Sequence, residues 1–137
     1  MSDPIEDTLP DTAPDAAPTR KRPKPGERRL QILQTLAAML QAPTAERVTT
    51  AALAAQIGVS EAALYRHFAS KAQMFEGLLD FIEQSCLGLV QQIRSSELNA
   101  PQQAQQIVLM LLQFAEKNPG MARVMVGDAL VLEHERL

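Results

Sequence analysis

Apolar residues recur every three or four positions through most of the chain beyond residue 26, and this spacing is typical of helices. No run alternates Val, Ile and Thr with polar residues as a strand would, so the pattern predicts an all-α protein. The predicted helices cover 27–41, 50–57, 61–67, 71–95, 101–117 and 119–129 or beyond. In the first and fourth helices, the positions expected to face the core are Leu30, Ile32, Leu33, Leu36, Ala37, Met39, Leu40, Met74, Phe75, Leu78, Leu79, Ile82, Cys86, Leu89 and Ile93.

Local signals mark the ends of these helices. Pro43 ends the first helix, because the residue before a proline avoids the helical conformation. Ser60 and Ser70 are favourable N-caps, since a serine hydroxyl accepts a hydrogen bond from a free N–H of the first turn. Pro101 suits the first turn of the fifth helix, where its missing N–H costs nothing.

Two short helices joined at Gly58 fit a helix-turn-helix, a DNA-binding unit. The first opens at Thr49 or Thr50 and the second at Ser60, while Gly58 tolerates the positive φ angle of a tight turn. The apolar residues spaced to pack inward are Leu53, Ala54, Ile57, Val59, Leu64 and Phe68. The outward face of the second helix then carries Glu61, Ala62, Tyr65, Arg66 and His67.

Charge is strongly segregated along the chain. Residues 1–19 carry five acids and no bases, 20–71 carry nine bases and three acids, and 72–137 carry four bases and eight acids. A basic middle between acidic flanks indicates a local anionic partner, because lysine and arginine neutralise phosphates without reading sequence. We expect residues 1–26 to be a disordered tail, acidic then basic, since so polar a segment cannot bury a core.

The composition argues against several other classes. The single cysteine, Cys86, cannot form an internal disulfide, and its apolar neighbours indicate a buried side chain in a reducing cytoplasm. His67 and His134 are far apart in sequence, with no metal-ligand spacing, and no phosphate-binding loop or nucleophile motif is present. We therefore expect a protein that is not an enzyme, needs no cofactor and has no membrane span. The cluster Glu133, His134 and Glu135 is expected to be a solvated helix face.

The stretch "LAAQIGVSEAALYRHFASKAQMFEGLL" resembles the DNA-binding half of TetR-family regulators. The Gly-Val-Ser turn, the "LYRHF" helix and the following Ser-Lys are characteristic of that family, and the resemblance covers about 27–137. It implies a three-helix DNA-binding domain over 27–71 and an incomplete helical regulatory or dimerisation domain over 72–137. The DNA contacts that it implies fall on Thr49, Thr50, Ser60, Ala62, Tyr65, Arg66, His67 and Lys71.

Within that family the resemblance is to members that act in nucleoid occlusion. It implies that the protein lies in the cytoplasm at the nucleoid, binds a palindromic double-stranded site as a homodimer, and binds the division GTPase FtsZ. The FtsZ surface would lie between the fourth and fifth helices, at Phe81, Lys117 and Asn118. Lys117 stands where arginine is expected, which retains the charge but loses the planar fork.

Two other interpretations stay open from the sequence. A ligand-responsive repressor would share the fold. A helical adaptor without DNA function would use the basic part of the tail to bind RNA or an acidic protein. Family members continue for several helices beyond this length, and "LEHERL" shows no glycine or proline to end a helix. We therefore expect the chain to be partial.

Overall fold

The computed structural model describes residues 24–42, 47–130, 133–135 and 137, and within them it contains helices and no strand. The helices are α1 (Pro25–Leu40), α2 (Thr50–Ile57), α3 (Glu61–Tyr65), α4 (Lys71–Arg94), α5 (Ala100–Lys117) and α6 (Pro119–Met125), followed by a 3₁₀ turn (Asp128–Leu130). The all-α prediction is confirmed. The predicted tail over residues 1–26 lies outside the described residues except at its last three positions.

Helix α1 begins two residues before the predicted position 27. Pro25 occupies its first turn, where a missing N–H breaks no helical hydrogen bond. The backbone N–H of Lys24 donates to the Glu27 carboxylate at 3.2 Å, which closes the helix start. Proline therefore opens the helix here, within residues that were predicted to belong to the tail.

The α2–α3 unit has the predicted helix-turn-helix form. Gly58 has φ 84° and ψ 33°, the left-handed conformation that glycine adopts at little steric cost. Helix α3 ends at Tyr65, two residues before the predicted end, and residues 66–67 form a turn. The N–H groups of His67 and Phe68 both donate to the Leu64 carbonyl, so the backbone tightens at this point and carries Phe68 into the core.

One hydrophobic core joins α1, α2, α3, the first half of α4 and α6. Its buried members are Ile32, Leu33, Leu36, Ala37, Leu40, Leu53, Ala54, Leu64, Phe68, Met74, Phe75, Leu78, Ile82, Met121 and Val124. The predicted inward stripe of α4 is therefore correct as far as Ile82. Beyond it Leu89 is 37% exposed, and no residue of α4 after Ile82 belongs to the buried core. Leu30, also predicted inward, is 38% exposed on α1.

Helix α6 lies against α1 and ends earlier than predicted. Gly127 has φ +81°, which breaks the helix after Met125, so the predicted span to 129 or beyond is wrong. Arg123 secures the junction: its Nη1 donates to the Leu40 carbonyl at 2.8 Å, and its Nε is 2.7 Å from an Asp128 carboxylate oxygen. No helix among the described residues is long and apolar enough to cross a membrane.

Candidate DNA-binding face and peptide groove

The hydroxyls at the openings of α2 and α3 already have partners inside the protein. Thr49 and Ser60 are N-caps, accepting from the N–H groups of Ala52 at 3.1 Å and Ala63 at 3.2 Å. Thr50 donates to the Glu61 carboxylate at 3.2 Å, which joins the two helices. These side chains therefore hold the helix-turn-helix unit together.

The outward face of α3 matches the prediction closely. Ala62 and Arg66 are exposed, and Tyr65 is 45% exposed, although its neighbour Leu64 is fully buried. The small Ala62 leaves space for close approach, while Tyr65 and Arg66 offer hydrogen-bonding groups to a partner. A partner can therefore reach these side chains without any rearrangement of the core behind them.

His67 is less exposed than Ala62, Tyr65 and Arg66. Its side chain is only half exposed, and its carbonyl accepts a hydrogen bond from Arg29 Nη1 at 3.4 Å. The Arg29 guanidinium also lies 4.3 Å from the centre of the Phe68 ring, a favourable cation–π geometry. Arg29 lies in the first predicted helix, where the sequence assigned it no contact, and the structure places it against the end of the helix-turn-helix unit.

Lys71 lies in an ion-pair cluster that was not predicted. Its Nζ is 2.8 Å from one Glu133 carboxylate oxygen, and Arg47 Nη2 is 3.4 Å from the other. The Glu133 side chain is only 6% exposed, so the prediction of a solvated helix face is wrong for this residue. The reason is tertiary: neither residue 133 nor its described neighbours are helical, and Glu133 turns toward two cations far away in sequence. His134 and Glu135 are exposed, as predicted.

A groove of about 350 Å³ lies between α1, α4, α5 and α6. Its walls include Phe81, Phe114 and Met121, with Gln41 and Asn118 as polar groups. Two of the three predicted FtsZ-binding residues, Phe81 and Asn118, therefore lie together. Their apolar neighbour Phe114 was missed, although its helical spacing from Lys117 placed it on the same turn.

Lys117 is exposed at the end of α5 and is not part of the groove lining. Asn118 donates from its amide to the Phe114 carbonyl at 2.9 Å, so it also closes the end of α5. Phe81 is half-buried and packs against the core, with a second apolar groove of about 280 Å³ on its other side, next to Leu33 and Gly77. The aromatic ring thus separates two shallow depressions.

The remaining chemistry of the chain is modest. Partial burial raises the pKa of the Cys86 thiol, and Cys86 packs beside the core, as its apolar neighbours predicted. Among the described residues, no three His, Cys, Asp or Glu side chains are grouped to hold a metal ion. Helix α5 has an exposed apolar face, formed by Val108, Leu109, Leu111 and Leu112.

Comparison with known families matches two parts of the chain. Residues 32–78 match "Bacterial regulatory proteins, tetR family", and residues 99–137 match the SlmA-like form of "Tetracyclin repressor-like, C-terminal domain". The first match contains α2, α3 and the start of α4, and the second contains α5 and α6. Both α3 and part of the groove therefore lie inside matched regions.

Individual relatives extend the similarity. The chain is 56% identical over 110 residues to the nucleoid occlusion factor SlmA of Idiomarina loihiensis and, separately, to that of Shewanella pealeana. It is 55% identical over 114 residues to the SlmA protein of a Marinomonas species. These alignments cover 80–83% of this chain and 56–58% of the relatives, so the chain spans a little over half their length.

Proposed function

Because this chain belongs to the TetR family of bacterial regulatory proteins, we propose that it is a nucleoid occlusion factor. In this proposal it binds chromosomal DNA through α3 and contacts FtsZ through the groove between α1, α4, α5 and α6. The name shared by the relatives supports this function over a ligand-responsive repressor. The protein would act at the nucleoid.

The exposed face of α3 carries the DNA-binding part of the proposal. Tyr65 and Arg66 project from a five-residue helix whose inner side, at Leu64, is fully buried. A helix held this way keeps its outer side chains in a defined position, which base reading requires. We propose Tyr65 and Arg66 as the base-facing pair, with Ala62 at the point of closest approach.

Phosphate contacts would surround that pair. The first turns of α2 and α4 present free N–H groups at the positive ends of their helix dipoles, beside Thr49, Thr50 and Lys71. Ser60, the N-cap of α3, would contact a phosphate at the start of that helix. His67 would contribute through its half-exposed ring. These contacts would give affinity and register, whereas Tyr65 and Arg66 would give sequence preference.

The groove supports the proposed FtsZ contact. Phe81, Phe114 and Met121 form an apolar wall, and Gln41 and Asn118 supply polar groups at its edge. A short extended peptide with one or two apolar side chains fits such a lining. Lys117 at the rim would attract acidic side chains, although a lysine cannot reproduce the two-pronged contact of an arginine.

A homodimer completes the proposal. A palindromic site needs two recognition helices related by a two-fold axis, and family members of full length are expected to supply that symmetry. The apolar face of α5, at Val108, Leu109, Leu111 and Leu112, is in keeping with further helices or a second subunit lying there.

A fluorescence anisotropy titration tests the FtsZ part directly. A labelled FtsZ C-terminal tail peptide is titrated with this chain and with Phe81→Ala. We expect saturable binding that the substitution abolishes. Leu87→Ala is the matched control, since Leu87 is 48% exposed on the same helix and lies outside the groove lining. Circular dichroism confirms that all three proteins are folded, and a folded chain that binds no peptide contradicts the FtsZ assignment.

A further inference from the structure

Glu133 joins two cations that lie beside the proposed DNA-facing helix ends. Lys71 is the first residue of α4, and Arg47 lies two residues before the Thr49 N-cap of α2. Glu133 is 62 residues from Lys71 and 86 residues from Arg47 along the chain, yet it contacts both. A carboxylate from the C-terminal part of the chain thus forms ion pairs with two cations of the proposed DNA-binding part.

The exposure of the three side chains decides what DNA can reach. The Arg47 side chain is 53% exposed, the Lys71 side chain 23% and the Glu133 side chain 6%. The cations therefore lie on the outside of the cluster and the carboxylate on the inside. An approaching phosphate meets the two cations first and experiences the carboxylate behind them as a repelling charge.

We propose that Glu133 competes with DNA phosphates for Lys71 and Arg47, so that it restrains sequence-independent DNA binding and couples the DNA-binding helices to the C-terminal segment. This inference rests on the proposed DNA-binding function. The carboxylate cancels one of two local positive charges. The two cations then neutralise phosphate less fully, so fewer of the counterions condensed on the DNA are released and the affinity falls.

The same competition acts in the opposite direction. If removing Glu133 from the two cations favours DNA, then bound DNA must loosen the hold on Glu133 by an equal free energy. A buried carboxylate that loses its partners is unfavourable where it lies, so the segment around it should open more often. DNA binding is therefore expected to loosen residues 128–130 and 133–135, which do not themselves belong to the proposed DNA-facing helices.

The first test compares Glu133→Gln with Glu135→Gln. Each substitution removes one negative charge, and the two positions are only two residues apart. Glu135, however, is exposed and lies outside the cluster. Binding to a fluorescein-labelled duplex of mixed sequence is measured by anisotropy over a range of salt. We expect Glu133→Gln to bind roughly twofold to tenfold tighter than Glu135→Gln, with a salt slope steeper by about one.

Two further measurements separate competition from other effects. In a Lys71→Gln background, the gain from Glu133→Gln should shrink to the share that Arg47 supplies, because the substitutions act through one contact. The backbone amides of residues 128–130 and 133–135 should exchange their hydrogens faster when duplex is added to the unmodified chain. A purely structural role for Glu133 would change neither the salt slope nor the exchange response to DNA.

The outcomes are distinct. Weaker DNA binding by Glu133→Gln overturns the inference, since Glu133 would then be placing the cations for DNA. Equal binding by the Glu133 and Glu135 variants also overturns it, and if the chain still binds the duplex, the proposed function stands. An unmodified chain that binds no duplex overturns both the inference and the DNA-binding part of the proposed function.

Discussion

Gly120 of α6 lies directly against the backbone of Ala37 in α1, so closely that a Cβ on Gly120 would overlap the Ala37 carbonyl oxygen. The overlap is with backbone, which cannot move aside as the end of a flexible side chain can. We therefore expect Gly120→Ala to separate α6 from α1 and to lower the free energy of unfolding by about 1–3 kcal/mol or more. Urea denaturation followed by circular dichroism measures the change.

Gly88 provides the matched control for that substitution. It lies within α4, is exposed, and a Cβ there would meet no atom within 4 Å. Gly88→Ala should therefore stabilise the protein by about 0.5–1 kcal/mol, because alanine loses less backbone freedom in a helix. Similar losses of stability for both variants would mean that the close contact between α6 and α1 is not the reason that position 120 requires glycine.

Gly58 tests the turn between α2 and α3 separately from packing. A Cβ would meet nothing within 4 Å, so only its φ of +84° opposes a side chain. We expect Gly58→Ala to lower the free energy of unfolding by about 1–2 kcal/mol. Gly58→Asn should lose less, because asparagine tolerates the left-handed conformation better than alanine does. An alanine variant as stable as the unmodified chain would contradict this explanation of the turn.

Ser60 can be separated into a cap and a DNA contact. Ser60→Ala removes the hydrogen bond from the Ala63 N–H and should cost about 1 kcal/mol of stability. Ser60→Asp keeps a good N-cap but adds a negative charge at the proposed phosphate contact. We expect this variant to unfold like the unmodified chain and yet bind a duplex more weakly. Duplex binding at full strength by Ser60→Asp would leave Ser60 as a cap alone.

Arg66 tests the reading of sequence. It is exposed at the end of α3, so its removal should disturb the fold little. On a specific site, identified by selection from random duplexes, Arg66→Ala should lose about 1–3 kcal/mol of binding free energy. Binding to a random duplex should fall less. An equal loss on both duplexes would make Arg66 a phosphate contact, and no loss on either would remove it from the interface.

Arg123 tests how α6 is tied to the end of α1. Arg123→Ala removes both the partner of the Leu40 carbonyl and the Asp128 ion pair, and should cost about 1–2 kcal/mol of stability. Asp128→Asn removes only the ion pair, whose side chains are 35% and 61% exposed, and should cost less than about 0.5 kcal/mol. Thermal unfolding of both variants distinguishes the two contributions. Equal losses would show that the carbonyl contact adds nothing.

Helix-turn-helix geometry could be predicted because its causes are local. Thr49 and Ser60 act on N–H groups three residues ahead, and Gly58 sets the turn through its own backbone. Buried positions such as Leu53 and Leu64 follow from helical spacing, since an apolar stripe must face other apolar residues. For the same reason, the spacing that buries Leu64 also turns Tyr65 and Arg66 outward.

Positions that depend on distant parts of the chain could not be predicted. Nothing near Glu133 indicates a buried carboxylate, because its partners Lys71 and Arg47 reach it only through the fold. Arg29 is one of several closely spaced basic residues, and only the fold shows that its guanidinium contacts the Phe68 ring and the His67 carbonyl. Ion pairs and cation–π contacts do not recur at a fixed spacing along the chain, so no sequence pattern predicts them.

The sequence alone thus determined the helices, the turn at Gly58 and the outward face of α3, because caps, backbone angles and helical spacing act over a few residues. Only the tertiary structure decided which apolar positions are covered. Leu89 follows the same spacing as Ile82, but Leu89 is 37% exposed whereas Ile82 is 5% exposed and lies in the core. The periodicity of the chain specifies which side of a helix is apolar. Whether that side is buried depends on which other helices pack against it in the fold.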